Sequence, residues 1–206
     1  MNTGFDHLRV GIYRERFDPI HNGQVESAKA FMEQMKLDYL FVIPLYIDSA
    51  SESGRALYRL RMCELAFEGV DGIIISDTDV KGEGKIGLAD ILRELSRPDT
   101  RLFWLCEADE LLNFDQRSDM GEILSLCYPN YVRRENDPIL TARIVEKITD
   151  IYNKHGKMFR RIVTEPRDII SSQIRRRVAE GKDVSGMVPT SVARFIKDNQ
   201  LYLEDT

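Results

Sequence analysis

The chain has 206 residues, 43% hydrophobic and 31% charged, with a net charge of −5 at pH 7. That suits one domain with a sizeable core and disfavours a protein that coats nucleic acid, which would be basic. Three scattered cysteines, Cys63, Cys106 and Cys127, without a CxxC pair argue against a disulfide framework or a zinc knuckle.

No charged-then-apolar leader opens the sequence, and its apolar runs are far shorter than the roughly 20 residues a bilayer crossing needs. A cytoplasmic protein without a membrane partner is expected. Self-association is compatible with all of this.

Leu8–Tyr13 is an apolar, β-prone run and reads as the first strand. Pro19 and Gly23 punctuate the segment after it. From Gln24 onward, Val25, Ala28, Phe31, Met32 and Met35 recur at helical spacing. Tyr39–Leu45 is a second strand, apolar on both faces, as in a parallel sheet covered by helices. Tyr46–Arg55 is polar and reads as a mobile loop.

Ala56–Phe67 predicts a helix, Gly72–Ser76 a strand, Leu88–Leu95 a helix and Arg101–Cys106 a strand. Leu111–Leu126 mixes loop and helix, and a short strand lies near Tyr131 and Val132. Ile139–Tyr152 is helical, Arg161–Thr164 a last strand, and Ser171–Glu180 and Pro189–Asn199 are closing helices. Gly82-Glu83-Gly84-Lys85 lacks the GxxxxGK[ST] spacing and reads as a turn. His7 and His155 read as surface residues. Alternating strands and helices predict an α/β protein: an open, mostly parallel sheet with right-handed crossovers. One domain over 1–206 is expected, with residues from about 165 onward as a helical appendage.

In such a sheet, ligands sit beyond the carboxyl ends of the strands. The segment from Gly11 to Gln24 leaves the first strand and enters the first helix. The helix dipole and its first amides favour an anion there. His21 precedes the helix, where its ring can donate to a phosphate oxygen. Gly23 lets backbone approach a ligand closely. Asp18, before a proline, reads as a residue that holds the loop.

Phe17-Asp18-Pro19-Ile20-His21-Asn22-Gly23-Gln24 resembles the FDPxHxGH signature of adenylyl- and cytidylyltransferases. The wider stretch from Gly11, with the strand YLFVIP, resembles the bacterial nicotinate-nucleotide adenylyltransferases in particular. Near the far end, Ile169-Ile170-Ser171-Ser172-Gln173-Ile174-Arg175 resembles that family's ISSTxIR motif, and RRVAEGKDVSGMVPTSVARFI its closing segment.

The resemblance implies a Rossmann-like fold and transfer of AMP from ATP to nicotinate mononucleotide, with release of pyrophosphate, in NAD biosynthesis. Mg²⁺ is implied as the ion bound with ATP, and no protein metal site is expected. It implies His21, Gln24 and Arg175 as catalytic residues. It implies Gly11, Tyr13, Arg16, Phe17, His21, Gly23, Asp109, Ser171, Ser172 and Arg175 as nucleotide-binding. Ser171 and Ser172 are expected to cap their helix and face phosphate.

The chain departs from the family at several of these places. Gln24 stands for the second motif histidine, Arg14-Glu15-Arg16 for Gly-Gly-Thr/Ser, and Glu107 for the glycine before Ala108-Asp109. Arg14 or Arg16 is expected to supply positive charge in place of the lost contacts. Lys85–Ile91 takes the place of the motif near the nicotinate. Arg133 and Arg134 fall near a family arginine. An alternative reading is a relative that binds nucleotide without turnover, or a transferase with a different acceptor.

Overall fold

The computed structural model describes residues 7–47, 55–133, 137–165 and 168–203. The loop expected at Tyr46–Arg55 falls largely outside them, and so does Arg134. Six strands form one all-parallel sheet in the order β3-β2-β1-β4-β5-β6: β1 Leu8–Glu15, β2 Tyr39–Pro44, β3 Ile73–Ile75, β4 Thr100–Glu107, β5 Tyr128–Val132 and β6 Arg160–Arg161.

The strands are short, and each is followed by helix. They are joined by α1 Asn22–Met35, α2 Ala56–Ala66, α3 Thr78–Lys81, α4 Leu88–Leu95, α5 Ala108–Leu112, α6 Met120–Leu126 and α7 Pro138–His155. The last helices are α8 Ser171–Ala179 and α9 Thr190–Asp198.

Side chains alternate across the sheet because successive residues of a strand point to opposite faces. On β1, Val10 and Ile12 join one core with Trp104, Phe114, Ile123, Ile144 and Phe159. Tyr13 joins the other, with Phe31, Leu40, Leu105, Ile174, Val192 and Ile196. The first core is covered by α4, α5, α6 and α7, and the second by α1, α2, α8 and α9. The closing helices pack on the sheet through buried Ile174, Val192 and Ile196. Trp104 lies within ring contact of Phe114 and Phe159, at centroid distances of 5.2 and 6.0 Å.

Several boundaries differ from the sequence expectation. β1 runs two residues further, to Glu15, so Arg14 and Glu15 are strand residues paired with Ile43 and Pro44. α1 starts at Asn22 because His21 caps it. β6 is only two residues long, so the strand expected over Arg161–Thr164 is mostly irregular chain. The four-residue α3 was hidden in a polar stretch, and Gly82–Lys85 forms the turn after it. His7 is half-buried, while His155 is exposed. Among the described residues no helix is long and apolar enough to cross a membrane.

Candidate nucleotide site at the sheet switch point

The strand order reverses between β1 and β4, and this is where a doubly wound sheet opens a crevice at its carboxyl end. The loop leaving β1 there is Arg16–His21. Phe17 is fully buried with φ +50, a left-handed conformation that non-glycine residues seldom adopt. Its ring meets Tyr13 edge-on at 5.1 Å, so core packing offsets the backbone cost.

His21 is the N-cap of α1. Its Nδ1 accepts from the Gln24 backbone N–H at 3.3 Å, and Gln24 Oε1 accepts from the His21 N–H at 3.3 Å. This is a reciprocal capping box, with glutamine in the third helical position. A ring nitrogen that accepts cannot carry the hydrogen, so the neutral imidazole carries it on Nε2 and that nitrogen is a donor. The amides of this first turn are less open than the sequence suggested. Asn22 N–H donates to Met187 O at 2.9 Å, and Gln24 N–H serves the cap. Gly23 N–H is not part of these two contacts.

Asp18 lies at the centre of the loop and is fully buried. Tyr202 donates its hydroxyl to Oδ1 at 2.7 Å. Oδ2 is 3.7 Å from Arg16 Nη2 and 3.8 Å from Arg175 Nη1. Arg175 Nη1 donates to the Asp18 carbonyl at 2.7 Å, and Ser171 Oγ donates to the Pro19 carbonyl at 3.0 Å. Residues from the two ends of the chain therefore meet two or three positions ahead of His21.

The serines are not caps, however. Ile170 is the N-cap of α8 and makes no side-chain cap bond, Ser171 is turned to the loop, and Ser172 is exposed. Of the three consecutive arginines, Arg175 alone faces the loop. Arg176 points to Glu180 and Arg177 donates to Asp183 O.

The expectation for Arg14 is corrected. Its guanidinium forks onto buried Asp79 at 2.9–3.2 Å and also donates to Ile86 O, because a buried carboxylate needs a matched cation. Arg16, with 41% of its side chain exposed, is the arginine at the loop. Gly11 is a packing position. A Cβ there would come within 2.5 Å of Leu37 and 2.9 Å of Leu40, four residues short of the strand end. Tyr13 is likewise buried, with its hydroxyl donating to Glu107 Oε1 at 3.1 Å.

Glu107, at the end of β4, is buried and lines a cleft of about 400 Å³ together with Asp109, Asn113, Arg133, Leu140 and Arg143. Asp109 is exposed in the first turn of α5. Arg133 Nη1 donates to the Thr141 hydroxyl. Next to this cleft, burial, reinforced by the Glu15 carboxylate, pushes the Glu110 carboxyl up to about 7. Asp90, in the stretch matched to the nicotinate motif, accepts from the Gly87 N–H at 2.9 Å and so caps α4.

Sequence reasoning missed Tyr202 and Asp79. Each bonds a residue 65 to 184 positions away, so no local pattern marks it. The bond between Tyr13 and Glu107 was missed for the same reason, since only β1–β4 pairing brings them together.

The reversed strand order, the capped helix start and the arginine-bearing loop define a doubly wound, nucleotide-binding type of α/β protein. The Cytidylyltransferase-like family profile matches residues 12–178, and the chain belongs to that family. It is 27% identical over 97% of its length to a Shewanella pealeana protein named "probable nicotinate-nucleotide adenylyltransferase", of which 98% is covered. It is 28% identical over 96% of its length to a Gemmatimonas aurantiaca protein of the same name, of which 93% is covered. Among solved structures it resembles Plasmodium falciparum nicotinic acid mononucleotide adenylyltransferase complexed with APC. The TM-score is 0.67 at 13% identity, covering 95% of this chain and 98% of the other, a likeness of fold.

Proposed function

We propose that this protein transfers AMP from ATP to nicotinate mononucleotide and releases pyrophosphate, a step of NAD biosynthesis in the cytoplasm. Family membership and the names of the full-length relatives support the reaction. The observation that carries the site is the meeting of α1, α8 and the β1 loop at Asp18–His21, which gathers Arg16, Arg175 and the His21 donor.

An oxygen of the acceptor phosphate attacks the α-phosphorus. The bond from that phosphorus to the bridging oxygen of the β-phosphate breaks, and pyrophosphate leaves. No covalent enzyme intermediate forms. Catalysis is positioning and stabilisation of negative oxygens. In this reading His21 Nε2–H donates to a phosphate oxygen, while Arg16 and Arg175 balance the β- and γ-phosphates. Gly23 gives close approach, Ser171 and Ser172 border the phosphates, and Asp109 takes the nucleoside in the cleft beyond β4. Tyr13 and Phe17 act as the floor beneath the loop.

Magnesium would arrive with the triphosphate and would supply positive charge against its oxygens. Among the described residues no group of three or more His, Cys, Asp or Glu side chains is placed to hold a metal ion. Small nucleotides are the partners, and a net charge of −5 disfavours nucleic acid.

A second reading, nucleotide binding without turnover, is favoured by one observation: Gln24 Oε1 is committed to the helix cap. Pyrophosphate release from MgATP with nicotinate mononucleotide decides between them. Turnover supports the transferase. A thermal shift with ATP but no pyrophosphate, even with Gln24→His, leaves only the binding reading.

A further inference from the structure

The amino ends of β1, β2 and β3 are covered less well than their carboxyl ends. Val10 pairs with Tyr39, Phe41 with Ile74 and Leu8 with Thr100, so these residues share one face of the sheet. Further along that face Ile12 and Ile43 are buried, while Leu8, Tyr39 and Ile74 are 41, 45 and 39% exposed. The cause is length. α4 has eight residues, roughly 12 Å of helix, against roughly 26 Å for the eight residues of β1. It ends at Leu95, on the rim of a hollow of about 350 Å³ floored by Val10, Tyr39, Phe41 and Ile74.

Large apolar side chains exposed together on a sheet face mark a surface for association. The charges on the rim identify the partner. Glu94 and Arg97, both exposed, line the same hollow, one acid and one base three residues apart. Arg97 Nη1 donates to Ser96 O at 2.8 Å, a contact that does not neutralise its charge. Across a two-fold axis, residue i meets residue j twice. This rim is therefore complementary to itself, with each Glu94 able to meet the second copy's Arg97. A foreign acidic or basic partner calls instead for a rim of one sign. β3 is the last strand on its side of the sheet, so the hollow lies toward an open edge. It also lies at the opposite strand ends from the candidate nucleotide site, and two copies joined here leave both sites accessible.

We infer that this hollow is the interface of a homodimer: Leu8, Tyr39 and Ile74 of two copies form its apolar centre, flanked by two Glu94–Arg97 pairs. The interface is independent of whether the protein turns ATP over.

The test is sedimentation equilibrium of the full chain over a concentration series. Four variants are compared with the parent: Ile74→Lys, Glu94→Arg, Arg97→Glu and the double charge reversal, each checked for folding by its unfolding temperature. The parent is expected to be dimeric at about 100 µM. Ile74→Lys places a charge at the apolar centre and should weaken the dimer roughly 10-fold or more. Each single charge reversal sets like charges against each other in both rim pairs and should weaken it roughly 5- to 30-fold. The double reversal should restore parental association.

A parent that is monomeric at that concentration overturns the inference. So does a dimer that Ile74→Lys leaves intact, or a double reversal no tighter than the single ones. Should Ile74→Lys fail to fold, the charge reversals decide alone.

Discussion

Gln24 carries two roles that pull against each other. As the third residue of α1 it caps His21, and as the stand-in for a histidine it faces the proposed phosphates with a neutral donor only. Gln24→His should raise kcat by about tenfold or more, since a preorganised donor of this kind is worth on the order of 10²–10³ where it is lost outright. The same change removes the cap bond and should lower stability by about 1 kcal/mol. Steady-state pyrophosphate release and urea unfolding measure the two effects.

Arg14 and Arg16 make a sharper pair, because sequence treats them alike. Arg14→Met leaves Asp79 buried without its cation and should cost about 3–5 kcal/mol in urea unfolding. Arg16→Ala should cost under about 0.5 kcal/mol, because its side chain is 41% exposed, and should act on ATP affinity instead. Equal destabilisation by the two would contradict the assignment of their roles.

Between elements, contact depends on spacing along the strand rather than on motif membership. Gly11 opens the segment that resembles the family, yet the space it leaves is filled by Leu37, Leu40 and Phe31. Gly11→Ala should destabilise by about 1–3 kcal/mol through overpacking, with unchanged ATP affinity in the protein that folds. A loss of affinity without a loss of stability would return Gly11 to the ligand.

Element by element, β2, α2, α4 and α9 were legible within one residue. The end of β1 was not, since Arg14 and Glu15 look like loop residues until strand pairing and Asp79 accommodate them. That Phe17–Gln24 carries the chain from β1 into α1 was legible because these residues are contiguous. The bond from Tyr202 to Asp18 was not, because Tyr202 comes from the far end of the chain and lies in no motif, whereas Arg175 was expected at the same site from the resemblance of its motif.

For the molecule as a whole, Glu110 sets a pH dependence. Its carboxyl titrates near 7 when folded and near 4.5 otherwise, mainly through burial, so the folded state holds the proton more tightly. This group therefore costs nothing below pH 4.5, and stability falls as pH rises from there through 7. Discounted for partial exposure, the loss is about 1–2 kcal/mol at pH 8. Glu110→Gln should recover that amount at pH 8 and nothing at pH 4, in paired urea titrations.

The clasp on the β1 loop has a consequence in time. A chain made from its amino end has Asp18 out of the ribosome long before Arg175 and Tyr202 are synthesised. At about 5–20 residues per second, the interval is roughly 10–40 s. During it, the sheet's first strand can pair with β2 and β4 while its loop has neither fastening. Nascent protein should thus acquire a folded centre before it acquires a grip on ATP, and translation stalled near residue 165 should yield chains that resist protease yet ignore the nucleotide.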